Sequence, residues 1–533
     1  MNSRKIFFCT LLVVLCAQAY AQHPHNAIFS IKNVGGNNDD VVSSADAIPT
    51  ADSGFILSIY TTSNSNTINH SCVVDTANGE YLFQKYDPSG TVVQWEKCFT
   101  YGNGFAIEYL FPVVTGWIET GHDVNSQWGP IIRKENTNGT IAWTKSYGGL
   151  GVIDKDWKKS ADGGYAVLME SYYVSGDVAV AYGNSGDMFV LKVDSNGNKQ
   201  WATTIGGSGE DMPEKLVAAP DNGFFVIGAT ESDDYDCTGP YTTTYRNGYV
   251  ARLDKNGNIK WHLDLGGNVG ALALNGCNDG KGGVVIAAVT ESTAGISHPK
   301  ANPGGGVYWI IDVDSNGHIT WDNCFGDTVS AYPYSICRGV DGNFYVLGGV
   351  IGSGEDVDHD YGSESAWLVK VNKTNGSLMS ECVIGSPQTA QGYMTTSLKD
   401  GNIIVAGFYE GTSNGPNGNL PPTSAGNRFT DIFLAILSPW SEAVPVVKEP
   451  GSEITIYPNP AAGSFHVKIS STLAVLPEGT VTITDMLGKI LLRQNFGTKA
   501  ELNINSANWA AGCYLVVYEN GTGERETHKL VIQ

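Results

Sequence analysis

Short stretches in which apolar and polar residues alternate recur along this chain, separated by turn-forming dipeptides. "FVLKV" at 189–193 and "NIKWHLDL" at 258–265 have the period of two expected of strands, with alternate side chains on opposite faces of a sheet. The connecting words repeat as well: "VDSNGNKQW" at 193–201 returns as "LDKNGNIKW" at 253–261 and "VDSNGHITW" at 313–321. Such Asp/Asn/Gly stretches suit either a calcium loop or a hairpin turn. An EF-hand loop needs glycine at its sixth position and a bidentate Glu at its twelfth, because calcium takes six to eight oxygens. Here the glycine comes three places after Asp194, and the twelfth positions are Ile205, Leu265 and Phe325, none of which binds a hard cation. The hairpin reading is the better one, with Asn-Gly supplying the positive φ that a tight turn requires.

These words belong to a unit that repeats about every sixty residues. One copy opens with "DGGYAVLME" at 162, crosses a polar loop to "DMFVLKVDSNGNKQW" at 187, and ends in "ATTIGGSGED". The next opens with "DNGFFVIGA" at 221 and runs through "GYVARLDKNGNIKW" at 248. Each unit is expected to hold an apolar strand after an Asp-Gly type turn, a variable loop, a hairpin, and a strand beginning at Trp. Trp143, Trp201, Trp261 and Trp321 mark the same place in successive units, Ser380 takes it in a later one, and Trp95 marks an earlier, degenerate one. Packing between neighbouring sheets is the expected role of these indoles, since large aromatic side chains dominate core burial.

Opening strands begin near residues 52, 113, 162, 221, 280, 341 and 400, which makes seven units. The last unit contains "DIFLAILSPW" from Asp431 but no closing strand. That strand is supplied from the other end, where "IFSIKNVGGNNDD" from Ile28 aligns with "WATTIGGSGED" from Trp201. The expectation is an all-β chain whose residues 22–440 form a seven-bladed β-propeller closed by the N-terminal strand.

Composition agrees: glycine is abundant at 65 of 533 residues and charged residues make up only 16%. The 54 acidic against 32 basic residues give a formal net charge of −22, which disfavours nucleic acid and anionic lipid as partners. Arg4 and Lys5, the apolar run from Ile6 and the small residues of "AYAQ" form a secretory signal over 1–21, with cleavage expected after Ala21. No later segment is long and apolar enough for a membrane-spanning helix. Eight cysteines follow the signal with no Cys-x-x-Cys, so zinc and redox motifs are not suggested, and Cys324 with Cys337 is the first disulfide to expect.

Composition shifts at a linker, 441–453, after which the repeat does not return. Residues 454–533 read as a small β-sandwich of alternating strands. The "IYPNP" opening at 456, "ITDMLGKIL" at 483, the W-x-x-G-x-Y-x-V segment from Trp509 and the ending "HKLVIQ" resemble the type A C-terminal sorting domain of the Bacteroidota type IX secretion system. Cys513 stands where that family more often has another apolar residue. The resemblance implies an Ig-like sandwich that is read by the outer-membrane translocon, and hence export through Sec and then type IX secretion to the cell surface or the medium. The repeat units likewise resemble the degenerate propeller repeats of such exported proteins.

Catalytic signatures are missing from the sequence: there is no Gly-x-Ser-x-Gly elbow, His-Glu-x-x-His helix, phosphate loop or dinucleotide fingerprint, and no catalytic residue or cofactor is assigned. The variable loops are more informative. "SGEDVDHDYG" places Asp356, Asp358 and Asp360 at alternate positions as a candidate calcium loop, and "ESDDYDCTG" offers Asp233, Asp234 and Asp236, against the plain reading of solvated polar loops. Two functions suit this pattern. One is a non-catalytic surface or secreted binding module for a glycan or protein, which the regular repetition favours. The other is an extracellular polysaccharide hydrolase or lyase with paired carboxylates in the propeller funnel.

Overall fold

The computed structural model describes most of residues 28–437 and 452–532. The longer segments outside it are 1–27, 64–78, 295–304, 411–419, 421–429, 438–451 and 472–478, so the signal stretch and nearly all of the expected linker lie outside the described residues. The chain divides into two compact units, Met1–Pro439 and Trp440–Gln533.

Among the described residues, the first unit holds seven antiparallel sheets. The third comprises Val152–Lys159, Tyr165–Ser171, Asp187–Val193 and Lys199–Ile205, in that order across the sheet. The fourth comprises Asp211–Ala218, Phe224–Thr230, Asn247–Leu253 and Ile259–Leu265. The second, fifth and sixth repeat this order, beginning at Phe105, Ala271 and Ser330. The first sheet starts with two short strands, Asp40–Val42 and Ile48–Pro49, both paired to Phe55–Thr61. In the seventh, Ala390–Ser397, Ile403–Glu410 and Thr430–Leu437 are completed by Ile28–Val34, with Ile31 opposite Ala435 and Val34 opposite Ile432.

Six of these sheets thus have four strands, and the first has five, where the sequence pattern indicates three per unit. The unanticipated strand is the first of each sheet, typified by "DMPEKLVA" at 211–218. A bulge between Pro213 and Lys215 interrupts its alternation, so no clean period of two survives in the sequence.

One apolar cluster sits between most neighbouring sheets. Phe189 and Val193 of the third sheet meet Tyr109 and Ile132 of the second, and Ile286 and Trp309 of the fifth meet Phe225 and Val250 of the fourth. Tyr334 of the sixth sheet stacks on Tyr393 of the seventh at 4.9 Å. Phe55, Leu57 and Leu82 of the first sheet share a cluster with Ile404, Ile432 and Leu434 of the seventh.

The repeated turn words have a tertiary role that their hairpin chemistry does not reveal. In the first copy, the Asp194 carboxylate accepts the amides of Asn196 and Asn198, both at 2.8 Å, so it is consumed within the turn. Of the Asn-Gly pair only Gly197 has a positive φ, +72°. Trp143, Trp201, Trp261 and Trp321, on the outermost strands of their sheets, each lie under the turn of the next unit. Trp201 Nε1 donates to Lys255 O at 3.0 Å, and Trp261 Nε1 to Ser315 O at 2.9 Å. A Cβ on Gly257, at φ +85°, would stand 2.6 Å from the Trp201 ring. Gly257→Val should therefore meet both backbone strain and overpacking, lowering stability by on the order of 2–4 kcal/mol in a denaturant titration.

The second unit is a sandwich of a three-stranded sheet (Ser452–Tyr457, Ser464–Ser471, Glu501–Asn505) and a four-stranded sheet ordered Ile490–Asn495, Gly479–Asp485, Gly512–Asn520, Arg525–Ile532. Phe465 and Leu502 from one face meet Ile483, Val516 and Leu530 from the other. Within the W-x-x-G-x-Y segment, Trp509 lies 5.4 Å from Tyr514 and 6.0 Å from Phe465, so the spacing closes an aromatic corner over this core.

Candidate functional site

The innermost strands of the second to seventh sheets carry a bulge at one common register, and the residue after it is Tyr109, Asp156, Lys215, Asn275, Ser335 or Met394. Several of these side chains bind the innermost strand of the next sheet. The Leu216 amide donates to Asp156 Oδ2 at 2.9 Å, Asn275 Nδ2 donates to Tyr334 O at 2.9 Å, and the Thr395 amide donates to Ser335 Oγ at 3.1 Å. The sequence separation of about sixty residues is the repeat itself. Tyr109 also donates its hydroxyl to Asp156 Oδ1 at 3.1 Å, and the ammonium groups of Lys158 and Lys215 lie 3.4 and 3.6 Å from the same carboxylate.

Asp156 is therefore a buried anion held by a phenol, an amide and two ammonium groups. Asp156→Ala would remove an anion from beside buried Lys215 and break a strand-to-strand link. A loss on the order of 3–5 kcal/mol is expected, read as a lower denaturation midpoint.

Next to these residues is a cavity of about 330 Å³ to which every sheet contributes: Pro49, Phe111, Lys158, Val217, Cys277, Cys337 and Thr396 come from the first to the seventh in order. Tyr109 and Trp157 make its aromatic side, while Arg338 adds a third cation to Lys158 and Lys215. The volume is in the range of small-ligand sites. Sequence reading misses this constellation because its members fall on the innermost strands, where no turn word stands and a bulge breaks the alternation. The available signal is weak: a Pro or Gly two places before the bulge residue at Lys215, Ser335 and Met394, and none at Tyr109, Asp156 and Asn275.

Cys324 and Cys337 are not joined to one another, contrary to the expectation, and each keeps its thiol. The physical reason is that Cys324 lies on an outermost strand packed toward the fourth sheet, whereas Cys337 is on an innermost strand facing the cavity. Proximity within one repeat does not place the two on one face. Cys277 occupies the position equivalent to Cys337 in the preceding sheet, and burial pushes its thiol well above the usual range. Cys98 is disulfide-bonded.

Of the candidate calcium loop, Asp356 accepts the Gly326 amide at 3.0 Å through Oδ2, while Asp358 and Asp360 lie outside the described residues. The second acidic stretch is spread apart: Asp234 Oδ1 accepts the Ser208 amide at 2.7 Å, Asp236 sits in a 3-10 turn over Tyr235–Cys237, and the Asp236 carbonyl accepts the Tyr249 hydroxyl at 2.6 Å. Among the described residues, no group of three or more His, Cys, Asp or Glu side chains is placed to hold a metal ion.

Solved structures similar to this chain include a protein of unknown function from Dyadobacter fermentans (11% identity, TM-score 0.41, covering 78% of this chain and all of that one). The β-propeller domain of the Trilobed protease from Pyrococcus furiosus is also similar (11% identity, TM-score 0.33, covering 81% and 94%). So is the WD40 domain of SCAP from fission yeast (10% identity, TM-score 0.35, covering 78% and 98%). Scores this low identify neither a shared activity nor a shared number of blades. No curated protein sequence matches the chain. The C-terminal unit is different, because residues 455–533 match the family described as the secretion system C-terminal sorting domain. That unit belongs to the sorting-domain family, and the chain is a type IX secretion cargo exported to the cell surface or the extracellular space.

Proposed function

We propose that residues 22–440 form a closed seven-bladed propeller that serves outside the cell as a binding module, taking a small glycan or peptide group in its axial cavity and not transforming it. The observation that carries this reading is the cavity itself, to which the innermost strands of all seven sheets contribute. Ring closure is further supported by the pairing of Ile28–Val34 with Thr430–Leu437 and by the cluster shared between the first and seventh sheets. Cations and aromatic faces around a volume of about 330 Å³ suit recognition of a polar ring or an acidic group. Asp156 has both oxygens engaged in holding neighbouring strands, a structural assignment rather than that of a free general base. A glycan array read alongside a polysaccharide hydrolysis screen on the secreted chain tests the reading. Saturable binding without product supports it, whereas released oligosaccharide would replace it with the hydrolase or lyase alternative.

A further inference from the structure

At four sheet-to-sheet boundaries two register positions face one another: a residue at the start of the third strand in one sheet, and a residue at the start of the innermost strand in the next. Their adjacency is visible in the backbone. The Asp211 amide donates to Gly186 O at 2.8 Å, Ala271 to Arg246 O at 3.0 Å, Ala331 to Gly306 O at 2.8 Å and Ala390 to Glu364 O at 2.9 Å. Each acceptor immediately precedes the facing residue. The facing pairs are Asn247 with Ala271, Val307 with Ala331, and Ser365 with Ala390. At the boundary of the first and second sheets this position holds a single buried acid, Glu80, whereas two boundaries carry an acid on both sides. The third and fourth sheets place Asp187 against Asp211, and the seventh and first place Asp431 against Asp40.

All four of these aspartates are fully buried. Two buried carboxylates facing one another repel strongly unless a proton stays on one of them or a cation lies between them. Acids on both sides at two boundaries, against none on either side at three and the single Glu80 at another, suit a shared cation at those two. The geometry at the Asp187–Asp211 boundary fits. Asp211 is oriented by Thr230 Oγ1, by Ser232 Oγ at 3.0 Å and by the Gly207 amide at 2.7 Å. Asp187 Oδ2 accepts the Tyr182 amide at 2.7 Å, but its Oδ1, buried, has no hydrogen-bond partner among the described residues. That oxygen points to Gly206: a Cβ there would lie 2.0 Å from Asp187 Oδ1 and 3.0 Å from Asp211 Oδ2. The two oxygens thus converge beside the glycine, within about 5 Å of one another, a separation that one calcium ion with ligands at roughly 2.3–2.6 Å can span. The second boundary repeats the supporting residues, since Ser63 Oγ donates to Asp40 Oδ2 at 2.8 Å as Ser232 does to Asp211, and Asn33 Nδ2 donates to Asp431 Oδ2 at 2.7 Å.

We propose that Asp187 with Asp211, and Asp431 with Asp40, are two equivalent calcium sites that pin the third sheet to the fourth and the seventh to the first. Water and hydroxyl oxygens complete each coordination shell. These sites are separate from the loop at 356–360 and from the axial cavity.

The secreted chain, stripped with a chelator and titrated calorimetrically with calcium chloride, is expected to bind two ions per chain in the range of about 0.1–1 mM typical of extracellular modules. Ten millimolar calcium should raise the melting temperature by on the order of 2–4 °C. The double variant Asp187→Asn with Asp211→Ala imports the residues that the chain itself uses at 247 and 271, so it is expected to fold and to bind one ion. Adding Asp431→Asn and Asp40→Ala should abolish binding. Changing Asp356, Asp358 and Asp360 to Asn should leave two ions bound. The proposal is overturned if the unmodified chain shows neither heat nor thermal shift up to 10 mM calcium, or if the double variant still binds as many ions as the unmodified chain.

Discussion

A secreted chain from which residues 22–40 have been removed is expected to aggregate, with its melting temperature lowered by more than either Gly257→Val or Asp156→Ala lowers it. Six residues from Ile28 to Val34 pair with Thr430–Leu437, opposite the edge that Ile403–Glu410 already occupies. Without them, Thr430–Leu437 becomes an unpaired edge rich in Ile, Phe and Leu, of the kind that recruits strands from other chains. Val34 also leaves the cluster it shares with Ile432, Leu434 and Phe55, and the Asn33 amide no longer reaches Asp431. The deletion would further remove Asp40 and with it one of the two proposed ion sites. Size-exclusion chromatography with light scattering, run beside a thermal melt, reads the outcome. A truncated chain that stays monomeric with an unshifted melting temperature would mean that this strand does not complete the seventh sheet in solution, and the closed ring would have to be given up.

Deleting residues 455–533 is expected to have an equally large effect of a different kind: the passenger accumulates in the periplasm and its surface or extracellular fraction disappears. The matched family covers this unit and nothing before it. Its core is built from its own residues, among them Phe465, Ile483, Val516 and Leu530, and the clusters between the passenger's sheets contain none of them. The truncated passenger should still unfold cooperatively in a thermal melt, since each unit has an apolar core of its own. Fractionation and surface labelling distinguish the outcomes. Undiminished surface display after the deletion would contradict the assignment of the export signal to this unit.

The local chemistry of the chain is enough to reveal a good deal. Asp-Asn-Gly words read as hairpins because an Asp carboxylate and a positive-φ glycine close such a turn with no help from the rest of the chain. Opening strands near 52, 162, 221, 280, 341 and 400 are visible because each is a continuous apolar run bounded by a turn. The sorting domain is legible through four motifs in order. Tertiary structure alone decides what the innermost strands bring together. The innermost strands are hidden because a bulge breaks their alternation, and the cavity residues because each sheet contributes only two or three, far along the chain from those of the next. The Cys324–Cys337 expectation fails for the same reason, since closeness along the chain says nothing about which edge of a sheet a residue occupies. Asp187 and Asp211 look like ordinary loop acids in sequence, and only the register of two sheets turns them toward one glycine. A turn is determined by neighbours along the chain, whereas a site between sheets is determined by which strands lie side by side, and that follows from burying seven apolar faces at once.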